Sequence, residues 1–173
     1  CGIEVRGRSR KLRLNYRTTD EIRKVADAIY VGVTVDNMDG ESEKITGYAA
    51  LKHGALPETH LAKTFTDEID WIVNRIKTLK ALGYITQDIC VVVRTNDLAV
   101  TYAQALKTQG IAVHPISRNR PDDLDIEGVR IATMHRIKGL EFKIVFVSGL
   151  EQRFFTSPAS SPEDPALEKK LLA

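Results

Sequence analysis

The fold of this 173-residue chain is decided by a run of five apolar residues, Ile89-Cys90-Val91-Val92-Val93. A strand that is apolar at every position is buried on both faces, which is typical of an inner strand of a parallel sheet. A helical pattern over residues 97–109 follows this run. Further short strands are predicted over 111–114, 129–132 and 143–147. Strands that alternate with helices across short links predict an α/β fold, a parallel sheet covered by helices.

Before this run, the sequence predicts a strand, a helix and a second helix. The alternation in residues 11–14 predicts the strand. Thr18 and Glu21 then fit a capping box that opens a helix over residues 19–30. Residues 32–62 have no clear period and predict mostly loop with one short strand. The second helix opens at residues 66–68 and carries an apolar stripe formed by Ile69, Ile72, Val73, Ile76, Leu79 and Leu82.

Composition and charge narrow the class of protein without naming a function. The chain is 43% hydrophobic, which is enough to bury one core. Its net charge of +2 by itself predicts no particular partner. Two cysteines without paired spacing exclude a disulfide framework and predict no metal site. No run approaches the roughly 18 apolar residues of a membrane span. We therefore expect a single domain of an intracellular, cytoplasmic protein.

The chain contains Asn-Tyr-Arg at 15–17, Arg-Thr-Asn at 94–96 and Thr-Met-His-Arg-Ile-Lys-Gly-Leu-Glu-Phe at 133–142. Together these three segments resemble the UvrD/Rep family of superfamily 1 DNA helicases. The first, residues 12–18, contains the Asn-Tyr-Arg core of the family's motif IV. The second, residues 91–96, ends in Arg-Thr-Asn and is similar to a strand-end motif of the same family. The third, residues 129–142, matches motif V through Thr-Met-His-Arg-Ile-Lys-Gly-Leu-Glu-Phe and is the most specific. The resemblance covers residues 11–173 and implies a second RecA-like domain, a three-layer parallel sheet flanked by helices.

The resemblance implies an ATP-contacting set of residues. Arg17, expected just beyond a strand and at a helix start, would contact the γ-phosphate of ATP. Gly139 would let the backbone approach the nucleotide, and Glu141 would accept hydrogen bonds from its ribose. Plainer roles stay open: a surface pairing of Arg17 with Asp20 or Glu21, a simple turn at Gly139 and a solvated carboxylate at Glu141. For Lys138, electrostatic support of the site and a plain surface position both stay open.

A second set of residues is implied to contact single-stranded DNA. Thr133 would bind a phosphate, and His135 would meet the sugar-phosphate or a base, both at the end of the strand 129–132. Arg94 and Asn96, at the end of the strand 89–93, would contact the same DNA strand. Open parallel sheets bind ligands at the carboxyl ends of their strands. The alternatives are a structural histidine and a role for Arg94 and Asn96 in forming the loop.

Several parts of an ATP-driven motor are not found in this sequence. No Gly-x-x-x-x-Gly-Lys-Ser/Thr loop occurs. The family's Mg²⁺ ligands belong to the first RecA-like domain, and its motif VI is expected after Leu172. We assign residues 1–155 to the second RecA-like domain and residues 156–173 to a linker and a helix start. Only 36 residues separate Asn96 from Thr133, so no large accessory domain is inserted there.

The sequence thus favours the C-terminal motor domain of an ATP-dependent DNA helicase or translocase. The expected cofactors are ATP and Mg²⁺, and the expected partners are single-stranded DNA and the first RecA-like domain of the same polypeptide. The family resemblance implies 3′-to-5′ movement, and the chain alone is expected to be inactive. One alternative is a non-catalytic nucleic-acid-binding module with the same fold. A small-nucleotide enzyme is disfavoured, because no glycine-rich loop follows the first strand.

Overall fold

The computed structural model describes residues 14–29, 34–37, 41–44, 49–117 and 122–150. These residues form two compact units, one ending at Thr59 and one beginning at His60. The described strands pair within each unit, in separate sheets. The linker and helix predicted over 156–173 lie outside the described residues.

The first unit contains a two-stranded parallel pair and one helix. Strand β1 (Leu14–Thr19) pairs with β4 (Ala49–Lys52), and helix α1 (Asp20–Ile29) begins directly after β1. The hydroxyl of Thr19 accepts a hydrogen bond from the Ile22 amide at 3.4 Å. The predicted strand end at residue 14 and the predicted cap at Thr18 were therefore wrong. Threonine is β-branched and favours extended backbone, so the strand continues to the residue that caps the helix.

The segment predicted as mostly loop contains three short strands rather than one. Besides β4, strands β2 (Thr34–Asn37) and β3 (Glu41–Lys44) form an antiparallel pair. Their sequences, Thr-Val-Asp-Asn and Glu-Ser-Glu-Lys, contain a single aliphatic residue between them. A sequence pattern based on apolar alternation cannot detect such strands.

The second unit contains the predicted parallel sheet. Its strands are β5 (Ile89–Val93), β6 (Val113–Pro115), β7 (Val129–Thr133) and β8 (Ile144–Val147). They are ordered β6-β7-β5-β8, and every neighbouring pair is parallel. All five residues of β5 are buried, as predicted for an inner strand. Because the strands are parallel, their carboxyl ends meet at one edge of the sheet.

Helices cover both faces of this sheet. Helices α2 (Phe65–Ala81) and α3 (Asn96–Thr108) pack on one face, and the four-residue helix α4 (Met134–Ile137) packs on the other. The predicted α2 stripe is buried from Ile69 to Leu79, but Leu82 is 69% exposed because the helix has already ended. None of the helices in the described part of the chain is long and apolar enough to cross a membrane. The α/β, RecA-like fold class is confirmed.

Candidate nucleic-acid interface

A groove of about 1020 Å³ opens at the carboxyl ends of β5, β6 and β7. One wall is a face of α3 together with the residues just before it. The opposite wall consists of the ends of β6 and β7 and the start of α4. The α3 side contributes Arg94, Thr95, Asn96, Ala99, Val100, Ala103, Gln104 and Lys107. The strand side contributes Pro115, Ile116, Ser117, Ile131, Ala132, Thr133, His135 and Arg136.

The structure brings the four residues predicted to contact nucleic acid into this one groove. Arg94 directly follows β5, and Asn96 is the first residue of α3, which Thr95 caps by accepting a hydrogen bond from the Leu98 amide at 3.3 Å. Thr133 is the last residue of β7. His135 does not end this strand as predicted but lies within α4 and is exposed. A helix of four residues is too short to show a period in the sequence.

The charges that line the groove are all of one sign. Arg94, Lys107 and Arg136 are basic, and no aspartate or glutamate is among the described residues that line the groove. Arg136 also joins the two ends of the strand wall, because its Nε donates to the Ser117 carbonyl at 2.9 Å. A concave surface whose charged side chains are all cationic attracts polyanions and raises their local concentration.

The floor of the groove is apolar and its rim is polar. Ala103, Ile131 and Ala132 are buried beneath it, while Gln104 and Lys107 are exposed above. The sequence did not predict the roles of Gln104, Lys107 and Arg136 in the lining. For the first two, a signal was present: they lie eight and eleven residues after Asn96, at spacings that return to the same face of a helix.

Gly139 and Glu141, two of the residues predicted to contact ATP, lie outside the groove lining. Gly139 has a φ of +89°, and a Cβ at this position would meet nothing within 4 Å. It ends the turn after α4, in which the Leu140 amide donates to the Ile137 carbonyl at 2.9 Å. Phe142 packs on the core, while Leu140 remains 38% exposed. The backbone at Gly139 is thus open to a ligand, and Glu141 is exposed beside it.

The third ATP-contacting candidate, Arg17, lies in the first unit. It is exposed and lies within β1, not beyond the strand as predicted, because β1 extends to Thr19. Glu21 was predicted to complete the capping box. Its carboxylate instead lies 3.0 Å from the His53 ring and accepts the Gly54 amide at 2.8 Å. These hydrogen bonds, that from His53 first, lower the pKa of Glu21.

The first turn of α1 carries a second stabilised carboxylate. Asp20 forms ion pairs with Lys24 at 2.8 Å and with Arg23 at 2.7 Å. Hydrogen bonds from these two side chains, that from Lys24 first, lower the pKa of Asp20 to about 2. A carboxylate in the first helical turn also interacts favourably with the helix dipole. These ion pairs lie within α1 and therefore stabilise its first turn.

The described residues offer no cysteine or metal chemistry. Burial, more than the nearby Asp122 carboxylate, raises the pKa of the Cys90 thiol to about 12. A thiol with such a pKa is neutral at physiological pH and unreactive. Within the described ranges, no group of three or more histidine, cysteine, aspartate or glutamate side chains is arranged to hold a metal ion.

Comparisons with known proteins point to one family. The model of the UvrD-like helicase C-terminal domain matches residues 10–120 and 115–172. A probable DNA helicase of Mycoplasma pneumoniae is 24% identical over 144 residues, which is 83% of this chain and 24% of that protein. A probable DNA helicase II homolog of the same organism is 29% identical over 107 residues, 61% of this chain and 15% of that protein. The chain thus spans about a quarter or less of these relatives' length.

One solved structure supports the fold. It is the crystal structure of the C-terminal domain of a possible DNA helicase from a Lactobacillus strain, WCFS1. The match has a TM-score of 0.64 at 20% sequence identity and covers 91% of this chain and 78% of the other. At this identity, the likeness shows a common fold.

Proposed function

The chain belongs to the UvrD-like helicase C-terminal domain family, and we propose that it is the second RecA-like half of an ATP-driven DNA helicase or translocase. In this role it would hold single-stranded DNA and complete an ATP site formed mainly by a first RecA-like domain. The family implies movement in the 3′-to-5′ direction. The chain's own contribution is a surface that binds the DNA strand and a few side chains directed at the nucleotide.

The observation that carries this proposal is the convergence of four residues in one cationic groove. Arg94, Asn96, Thr133 and His135 come from two separate sequence motifs, and all four line the same groove. Phosphate contacts supply most of the affinity for single strands, and the basic side chains that line this groove can make such contacts. Asn96 and Thr133 add polar side chains that can hydrogen-bond to a phosphate or sugar.

The residues proposed for the ATP site have suitable chemistry. An arginine presents a planar fork of donors that fits phosphate oxygens, and Arg17 is exposed. Glu141 is exposed and can accept hydrogen bonds from ribose hydroxyls, beside a glycine with open space around it. When bound, ATP would supply the phosphoryl group whose hydrolysis drives movement. Arg17 would orient and neutralise the terminal phosphate, while Glu141 would position the ribose.

Removing the charge of Arg94 tests the DNA-binding role. We expect Arg94→Ala to raise the dissociation constant for a fluorescent thymidine oligonucleotide about three-fold or more at low salt, because one phosphate contact is lost. The slope of log affinity against log salt concentration should become shallower by about 0.7, the value for one contact to a single strand. Fluorescence anisotropy of the 173-residue chain across a salt series measures both quantities.

The matched control is Arg75→Ala. Arg75 is an arginine that is half-buried like Arg94, but it lies on α2 and does not line the groove. This variant should leave the salt slope unchanged, and thermal unfolding of both variants monitors any loss of folding. Equal slopes for the wild-type chain and Arg94→Ala, or no binding of the oligonucleotide at all, would contradict the proposed function.

A further inference from the structure

The groove continues along α3 well beyond the residues that the family motifs identify. Asn96, Val100, Gln104 and Lys107 all line it, and their spacings of four, four and three residues place them on one face of the helix. At 1.5 Å per residue, this face extends about 16 Å from Asn96 to Lys107. That distance matches roughly five nucleotides at the 3.4 Å rise of a stacked strand.

We propose that this face of α3 forms a second wall of the DNA track, in which Lys107 binds a phosphate about 16 Å from Asn96. The inference rests on the proposed function and extends it to a contact outside the helicase motifs. Lys107 is exposed in the last turn of α3, so its ammonium group can reach a strand lying in the groove. Gln104, one turn earlier, offers an amide that donates to phosphate or sugar oxygens.

The composition of the wall indicates that it binds the sugar-phosphate backbone and not the bases. The α3 side of the groove contains no phenylalanine, tyrosine or tryptophan, the side chains on which bases of a single strand usually stack. It has small apolar residues instead, Ala99 and Ala103, which leave depth for a backbone beneath the polar rim. A contact of this kind is independent of base sequence and sensitive to salt.

The test compares two lysines in equivalent helical positions. Lys107 lies in the last turn of α3 and Lys80 in the last turn of α2; both are exposed, but only Lys107 lines the groove. Each lysine interacts favourably with the dipole of its own helix, so replacing either one should reduce helix stability by a similar amount. We measure binding of a thymidine oligonucleotide of about ten residues to Lys107→Ala, Lys107→Arg, Lys80→Ala and Arg94→Ala across a salt series.

The expected result is a shallower salt slope for Lys107→Ala, by about 0.7, with affinity about three-fold lower at low salt. Lys107→Arg should retain the wild-type slope because it keeps the charge, and Lys80→Ala should also match wild type. If Lys107→Ala behaves like Lys80→Ala while Arg94→Ala weakens binding, the second wall is refuted and the proposed function stands. If none of the variants changes the slope, both are refuted.

A DNA strand without bases tests whether Lys107 contacts the sugar-phosphate backbone. An oligomer of abasic deoxyribose phosphates keeps the phosphates and removes every base. We expect Lys107→Ala to reduce the salt slope on this oligomer by the same amount as on the thymidine strand. If the effect of Lys107→Ala disappears when the bases are removed, Lys107 acts through the bases and the backbone assignment is wrong.

Discussion

Replacing Arg17 with alanine is expected to lower the rate of DNA-stimulated ATP hydrolysis about 10³-fold or more in the full-length helicase that we propose carries this domain. Charge accumulates on the transferred phosphoryl group in the transition state, and an arginine supplied from a neighbouring domain stabilises that charge. Nucleotide binding should be largely retained, because we propose that the phosphate cradle belongs to the first RecA-like domain. Steady-state hydrolysis and nucleotide affinity, measured on the same preparation, separate the two effects.

Two variants show whether the effect belongs to the guanidinium group itself. Arg17→Lys keeps the positive charge but loses the planar fork, so it should recover only part of the rate. Lys52→Ala removes an exposed charge from β4, the strand that pairs with the one carrying Arg17, and should leave the rate unchanged. A rate that is indifferent to Arg17→Ala would favour a non-catalytic nucleic-acid-binding module over a motor domain.

The second large effect is expected at Asp122, where alanine should lower the free energy of unfolding by about 3–5 kcal/mol. Its carboxylate accepts the Nε of Arg130 at 3.2 Å, and Arg130 is completely buried. The other nitrogens of Arg130 donate to the carbonyls of Asp123, Ile126 and Gly128 at 2.6–2.8 Å. These carbonyls carry no formal charge, so removing the carboxylate takes away the counter-ion that this buried cation has among the described residues. Urea unfolding measures the change.

Asp125→Ala is the matched control for Asp122→Ala. It removes a carboxylate from the same loop, but Asp125 is exposed and its change should stay within about 0.5 kcal/mol. Arg130 is the second residue of β7, and the groove residue Thr133 is the last residue of this strand. The two aspartate variants change residues outside the groove lining. If the two variants unfold at the same urea concentration, the carbonyls alone stabilise the guanidinium group and the pairing with Asp122 contributes nothing.

The parts of the fold that could be predicted are those with strong apolar patterns. The continuous run in β5 and the stripe on α2 each have a single structural solution, because burial of those side chains dominates the energy. Arg130 could not be placed, since a charged residue inside an apolar strand gives no indication of its partner. The available signal was the acidic pair Asp122-Asp123, which lies eight and seven residues before Arg130. The polar strands β2 and β3 had no signal of this kind.

The sequence predicted several residues of the site but not how far the groove extends. The motifs identified Arg94, Asn96, Thr133 and His135, and the parallel sheet brings them together because β5 and β7 are neighbours in register. The part of the α3 wall beyond Asn96 belongs to no motif. It becomes visible only when the crossover from β5 to β6 lays the helix beside the end of β7. The roles of the candidate site residues in binding DNA and ATP stay predictions.

A nuclear magnetic resonance titration tests the central claim, that the groove holds the single strand, most directly. The ¹⁵N-labelled chain of 19.3 kDa is suited to amide spectra during addition of a thymidine oligonucleotide. We predict saturable shifts for amides of the groove-lining residues within 95–107 and 133–136, and unchanged amides in α2. Saturable shifts confined to α2 or to the first unit, or no shifts at the groove at saturating oligonucleotide, would contradict the account.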